Sequence, residues 1–349
     1  MNDAIKEQDK PTTEKKVVPK PKPDPRKKLA KPERMLVLNS SPHLHTKKSV
    51  PKIMWSVIIA LLPAIAMSIY YFGLPAVWMI TICVITAVIT EIVMNYMKGD
   101  RISVIDGSAI ITGILLALTL PPSFRLTSAA LGTIVAISLG KHIFGGLGHN
   151  IFNPALLGRA FLQASFPVAI TTWTNPNTLK FAEIDAVSTA TPLGTFKFEK
   201  IFTEYSDLLF GNIGGSLGET SAIAILIGGL FLLILKNADW RVPLSILSTV
   251  LIFGGLFWII NPSQCPDPLF HLLSGGLLFG AFFMATDMVT SPLTTRGSWI
   301  FGIGIGFLVV IIRLFGGLPE GVMYSILLMN GVTPLINRYT RPRIFGEPR

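Results

Sequence analysis

Between residues 53 and 337 the chain alternates long apolar runs with short polar breaks. A helix needs roughly 20 apolar residues to cross a bilayer. Runs of that kind cover 53–72, 75–97, 105–120, 127–144, 220–236, 242–260, 269–286, 298–314 and 319–337. A weaker run, 150–167, carries Asn153, Pro154, Arg159 and Gln163. It is expected to face protein or a bound ligand rather than lipid. The pattern predicts an all-α integral membrane protein with about ten transmembrane helices.

The runs are ordered twice over. Phe144-Gly145-Gly146-Leu147 recurs as Phe315-Gly316-Gly317-Leu318, each after a Gly-rich helix and before a segment with Asn and Pro. Gly113 in TGILLAL and Gly280 in LFGAFFM sit at similar offsets. Segment 105–167 therefore parallels 269–337, and 53–97 parallels 220–260. Five helices per repeat is an odd number, so the two repeats are expected to be inverted in the membrane. The divisions read as a disordered, basic, Pro-rich tail (1–34), a first membrane repeat (35–167), a loop (168–218), a second membrane repeat (219–338) and a C-terminal tail (339–349).

Composition narrows the class. Half the residues are hydrophobic, 14% are charged and the mean hydropathy is +0.57, which excludes an ordinary soluble enzyme. The net charge is +10, yet fourteen of the thirty Lys and Arg lie between Lys6 and Lys52. The excess thus marks a tail beside an anionic leaflet, not a nucleic-acid-binding face. That tail has no apolar core followed by a cleavage site, so it does not read as a secretory signal peptide.

Loop charge gives an orientation. With both termini in the cytoplasm, 24 of the 30 basic residues fall inside, Lys141 among them. The loop 168–218 then lies outside the cell membrane. Its Trp173, Phe181, Phe196, Phe198, Phe202 and Tyr205 argue for packed structure. The two cysteines, Cys83 and Cys265, cannot alone hold an iron–sulfur cluster.

Three segments hold candidate chemistry. In the outer loop, Asp185-Ala-Val-Ser188-Thr189-Ala190-Thr191-Pro192 is either a turn whose hydroxyls bond the local backbone or a modification site. An exposed Thr hydroxyl flanked by small residues can enter a transferase pocket. Gly140 to Pro154 brings glycines together with Asn150 and Asn153, three apart, which a helical turn would point to one side. This serves either tight helix packing or a planar ligand. Gly211-Asn-Ile-Gly-Gly215-Ser-Leu-Gly218-Glu219 leads into a helix, as a cofactor cradle or as an irregular loop with a Ser or Thr cap. Glu91, Asp106, Asp287 and Arg313 lie near the ends of runs, where a polar pathway, an ion pair or snorkelling to the interface would stabilise them. Asp106 and Asp287 border repeat-related helices and are the candidates for coupling to a cation.

Taken together, these segments resemble one family. Asp185, Ser188, Ala190 and Thr191 resemble the acceptor pattern of the bacterial flavin transferase, with Thr189 where Gly is most usual. FGGLGHNIFNPALLGRAF, GNIGGSLGETS and MATDMVTSP look like signatures of the RnfD and NqrB family. The likeness covers nearly all of 35–346, and the short loops and overall length are more like RnfD. The resemblance implies a subunit of a bacterial or archaeal cell-membrane complex that passes electrons between ferredoxin and NAD and moves Na⁺ or H⁺. It implies FMN joined through its phosphate to Thr191, and a second, non-covalent flavin, riboflavin, near Asn150 and Asn153. Other subunits would carry the iron–sulfur, FMN and NAD sites, and a flavin transferase would mature the chain. Two alternatives stand beside it: an NqrB-like subunit of a Na⁺-translocating NADH:quinone oxidoreductase, and a flavin-independent inverted-repeat transporter.

Overall fold

The computed structural model describes residues 48–99, 106–176, 188–262 and 264–342. The tail 1–34, Asp185, Phe181 and residues 343–349 lie outside the described residues. The first half holds α1 (Val50–Phe72), α2 (Leu74–Lys98), α3 (Ser108–Leu118), α4 (Leu126–Ile137) and α5 (Pro154–Ser165). Between the halves come α6 (Pro167–Thr171), β1 (Trp173–Thr174), β2 (Ser188–Thr189), α7 (Pro192–Glu199) and α8 (Tyr205–Phe210). The second half holds α9 (Ala222–Ile234), α10 (Arg241–Ile260), α11 (Pro268–Leu273), α12 (Leu277–Phe279), α13 (Thr295–Phe315) and α14 (Val322–Tyr339).

Among the described residues four helices, α1, α2, α10 and α13, are long and apolar enough to cross a membrane. Large apolar side chains stay exposed along them, including Trp55, Ile59 and Leu62 on α1 and Trp78, Ile85 and Ile89 on α2. Faces of this kind are stable in lipid, not in water. The protein is a multi-pass membrane protein.

Several predicted runs are shorter or broken. The run 105–120 gives α3, 11 residues long, which spans about 16 Å at 1.5 Å per residue. The run 127–144 divides into α4 and a π turn, Ser138–His142. The weak run 150–167 yields the 12 residues of α5. The run 269–286 is not one helix. Ser274 turns extended at ψ 143° and Gly275 takes φ 66°, so α11 stops there. The chain resumes as α12 and a π turn, Gly280–Met284.

Local chemistry explains the joints. Gly73 closes α1 and opens α2 at φ 64°, ψ −140°, a conformation costly for any residue with a Cβ, and its N–H bonds Ile69 O at 2.8 Å. Gly113 lets α3 lie against the α2 backbone, because a Cβ there would meet Cys83 O at 2.9 Å. Gly280, its counterpart by sequence offset, faces the Val322 side chain of α14 instead.

Packing runs in matched sets. α2 contacts α3 and α4, as α10 contacts α11 and α13. α4 packs on α5, as α13 packs on α14, and α1 packs on α9. Bonds between elements sort the helix ends into two groups. Lys48 Nζ donates to Lys236 O at 2.7 Å, Lys98 Nζ to His142 O, and Leu293 N–H to Asn337 Oδ1 at 3.0 Å. At the other end, Tyr71 Oη donates to Phe210 O at 2.9 Å, Lys197 Nζ to Arg313 O at 3.0 Å and Lys200 Nζ to Gln264 O at 3.1 Å. The segment between the halves sits at this second end. Part of its aromatic set packs: Phe202 lies 5.0 Å from Phe270 and 5.2 Å from Tyr205, centroid to centroid, whereas Phe198 is exposed. Tyr205 donates to Asp267, the N-cap of α11. Burial, then that hydrogen bond and the Asp267 charge, push the phenol up to about 12.

Lys141 corrects the loop-charge count. It is 3% exposed, and its Nζ lies 2.6 Å from Glu91 Oε1 and 2.6 Å from Ser108 Oγ. The pair joins α2, α3 and the first π turn. Lys141→Met leaves Glu91 buried alone, with an expected loss of about 3–5 kcal/mol. Thermal unfolding of the purified protein in detergent reads this as a lower Tm. The Glu91→Leu/Lys141→Met double variant is expected to recover most of the loss, and no recovery would refute the pairing.

Candidate functional site

Thr191 sits where the segment between the halves turns into α7. Pro192 suits the first helical position, where its missing N–H goes unneeded. Thr191 is the N-cap, 4% exposed rather than the exposed hydroxyl expected, because its Oγ1 turns in to accept from Gly194 N–H at 3.1 Å. On the other side, Trp173 pairs with Thr189 and Thr174 with Ser188 in an antiparallel ladder. The string Ser188 to Thr191 is therefore held by a ladder at one end and a helix cap at the other.

A cavity of about 340 Å³ opens on this string. Thr189, Ala190 and Thr191 form one wall, and Trp173, Arg159, Gln163 and Glu320 form others. Arg159 Nη2 lies 2.8 Å from Glu320 Oε2, and Nη1 lies 3.8 Å from Glu219 Oε1. Among the described residues, buried polar atoms of this cavity that lack a partner are Thr189 Oγ1, Arg159 Nε and Glu320 Oε1. Buried polar groups nearly always find one, so a polar ligand or ordered water belongs here.

A smaller cavity of about 30 Å³ continues inward. It shares Arg159, Gln163 and Glu320 with the first and adds Glu219 and Met284. Met284 O accepts from Asn153 Nδ2 at 3.2 Å. Asn153 in turn borders a third cavity of about 90 Å³, with Asn150, Asp287, Lys141, Ser108, Thr286 and Asn237 on its walls.

Asn150 and Asn153 thus meet one cavity, but not through a shared helical turn. Pro154 begins α5, so Asn153 is its N-cap and the residues before it are irregular. Asn153 Oδ1 accepts from Ala155 N–H at 3.0 Å. Asn150 donates to Phe152 O at 3.3 Å, and its Oδ1 is buried without a partner. Asp287 is on the same wall and accepts from Thr290 Oγ1 at 3.2 Å. Asp106 is one step behind it. Its Oδ1 accepts from Ser108 Oγ at 2.9 Å, and the same Oγ accepts from Lys141.

The glycine loop does something else. Leu217 N–H bonds Leu120 O at 3.1 Å and Gly218 N–H bonds Leu118 O at 2.6 Å, which satisfies carbonyls at the end of α3. Ser221 Oγ accepts from Ala224 N–H at 3.4 Å as the cap of α9. Gly215 and Gly218 line neither the Thr191 cavity nor the Asn150 cavity.

Sequence reasoning did not find the Arg159–Glu219–Glu320 cluster or the part of Lys141. One signal was present: Arg159 and Gln163 are four apart in an apolar run, which aims both from one helix face. Arg313 is buried rather than snorkelling, and donates to His271 O at 2.5 Å and Ser274 O at 3.0 Å.

The profile of the NQR2, RnfD, RnfE family matches residues 37–346. The chain belongs to this family. It is 46% identical over 329 residues to the D subunit of the proton-translocating ferredoxin:NAD⁺ oxidoreductase complex of Clostridium ljungdahlii, covering 90% of this chain and 97% of that one. It is 46% identical over 315 residues to the D subunit of the Na⁺-translocating ferredoxin:NAD⁺ oxidoreductase complex of Acetobacterium woodii, covering 89% and 95%. Against the D subunit of the ion-translocating oxidoreductase complex of Stutzerimonas stutzeri the identity is 42% over 330 residues, covering 86% and 93%.

Arg159→Met removes the cation that Glu219 and Glu320 share. The expected loss is about 3–5 kcal/mol, because two carboxylates stay buried together. Adding Glu219→Gln and Glu320→Gln is expected to restore part of it. A Tm unchanged by Arg159→Met would refute the cluster.

Proposed function

We propose that this chain is the D-type membrane component of a Rnf-type redox-driven pump, an ion-translocating ferredoxin:NAD⁺ oxidoreductase complex. In this reading it relays electrons through FMN joined by its phosphate to Thr191. One observation carries the assignment: the Thr191 side chain lines a cavity of about 340 Å³ whose walls hold unmatched polar atoms. Small-molecule sites occupy roughly 300–1,000 Å³. The names of the relatives, ferredoxin:NAD⁺ oxidoreductase components, support the complex and favour it over a quinone-reducing one.

The FMN would supply one- and two-electron chemistry. The chain's own residues do the rest. Thr191 Oγ1 tethers, and as an ester oxygen it keeps a lone pair for Gly194 N–H. Arg159 would offer its unmatched Nε–H to the group and Gln163 an amide, and Trp173 closes one wall of the cavity. Other subunits supply the iron–sulfur, FMN and NAD sites, and a flavin transferase attaches the group.

The inner cavity suits a different ligand. At about 90 Å³ it falls below the size of a flavin site, so the tricyclic ring of riboflavin does not fit it, and no step is assigned there. Its Asp287 carboxylate and the free Asn150 oxygen suit water and a small cation. We assign Asp287, with Asp106 behind Ser108, to the Na⁺ or H⁺ path. The matched packing sets support two five-segment repeats, and the start of α1 lying beside the end of α9 supports their inversion; with the termini cytoplasmic by loop charge, Thr191 falls at the opposite, outer end.

Two expectations follow. After expression with a flavin transferase, the denatured parent is expected to fluoresce as a flavin band on a gel, Thr191→Ser to retain the band, and Thr191→Val to lose it. A band in Thr191→Val would move the attachment elsewhere. Asp287→Asn is expected to cut ion transport in proteoliposomes several-fold more than it cuts flavin content. Equal transport by variant and parent complexes would sink the pathway.

A further inference from the structure

A fourth cavity lies at the outer end, beyond the Thr191 site. Its volume is about 60 Å³, and Pro319 borders both. Lys197, Lys200, His271 and Arg313 line it, and among the described residues no carboxylate does. His271 is 2% exposed and Arg313 4% exposed. Both ring nitrogens of His271 and the Arg313 Nε are buried without a partner. Glu219 and Glu320, the carboxylates in electrostatic reach of Arg313, are held by Arg159.

The remaining donors have defined places. Lys197 spends its protons on Arg313 O, Gly316 O and Leu318 O at the end of α13. Lys200 gives one to Gln264 O at 3.1 Å and lies 5.2 Å from the Phe196 ring centroid. Two of its hydrogens, the Arg313 Nε–H and one His271 N–H are left over. Arg313 is buried, Lys197 is half-buried and Lys200 is exposed, and an anion in reach of all three would add to the pull that Glu219 and Glu320 exert on Arg313. Donors from three side chains match an acceptor with several oxygens. A volume of 60 Å³ holds roughly four to six water-sized atoms, which suits a five-atom tetrahedral group.

We propose that this cavity binds a phosphate group, free in solution or at the head of a membrane lipid. Bound there, it ties α7, which begins beside Thr191 and supplies Leu193, Phe196 and Lys197 to the wall, to the ends of α11 and α13. The site is independent of the flavin attachment.

The test uses the intact purified complex, delipidated in a nonionic detergent. Thermal unfolding of this chain is followed against inorganic phosphate, with ionic strength held constant by chloride. In a second arm the complex is titrated with phosphatidylglycerol or with uncharged diacylglycerol. The proposal expects stabilisation by inorganic phosphate if the group is free, and by phosphatidylglycerol alone if it is a headgroup. In either arm the midpoint is expected to rise at least fivefold in Lys200→Met. His271→Leu is expected to abolish the response while leaving the protein folded, because an apolar side chain needs no anion. Thr191→Val, which lacks the tether, is expected to respond like the parent, so loss of the flavin reading leaves this result intact. No response to either probe, or equal midpoints in parent and Lys200→Met, would overturn the proposal.

Discussion

Taking an ion out of water costs several kcal/mol unless partners replace its hydration. This chain buries Glu91, Lys141, Arg159, Glu219 and Arg313, and their pairing fixes which elements meet. Lys141 draws the first π turn onto Glu91 of α2 and Ser108 of α3. Arg159 of α5 reaches across to Glu320 before α14 and Glu219 before α9. Arg313 of α13 takes the carbonyls that the break after α11 sets free. Apolar packing in a bilayer is nearly indifferent to the choice of neighbour, since lipid tails are as apolar as Leu. The polar contacts supply the specificity that hydrophobic matching cannot.

How much of this was readable follows from where each signal lives. The helices α1, α2, α10 and α13 are continuous apolar runs, so hydropathy alone located them within a few residues. The break at Ser274–Gly276 hides inside an equally apolar run, because small residues score as membrane-compatible whether they pack or unwind. The aromatic cluster of the segment between the halves was legible as composition. Asp185 lies outside the described residues, yet Ser188, Ala190 and Thr191 do stand in one held string. The walls around Thr191 were not legible. Arg159 and Glu320 are 161 positions apart, and only the fold brings them together. Lys141 was misplaced for a related reason: charge counting treats each Lys as solvated, and this one is paired in the interior.

The short α7 links two of these systems. Its first turn begins at Thr191 on the cavity wall, and Lys197 in its second turn caps the last carbonyls of α13. An eight-residue helix held at both ends moves as a unit with what it touches. The position of the Ser188–Thr191 string is therefore set by α13, and so by the Arg313 contacts that seat α13 against α11.

The same logic bears on how charge at one end reaches the other. Arg159 borders both the Thr191 cavity and the smaller one behind it, so a change of charge in the Thr191 cavity alters its pull on Glu219 and Glu320. In a poorly hydrated interior such an effect falls off slowly with distance. The smaller cavity ends at Met284, whose carbonyl is held by Asn153, and Asn153 stands on the wall with Asp287. Asn153 also caps α5, the helix that carries Arg159. A shift of α5 along its axis would change the Arg159 contacts and the Asn153 contact together. The two ends of the protein need no wire between them; one 12-residue helix already carries a polar residue of each.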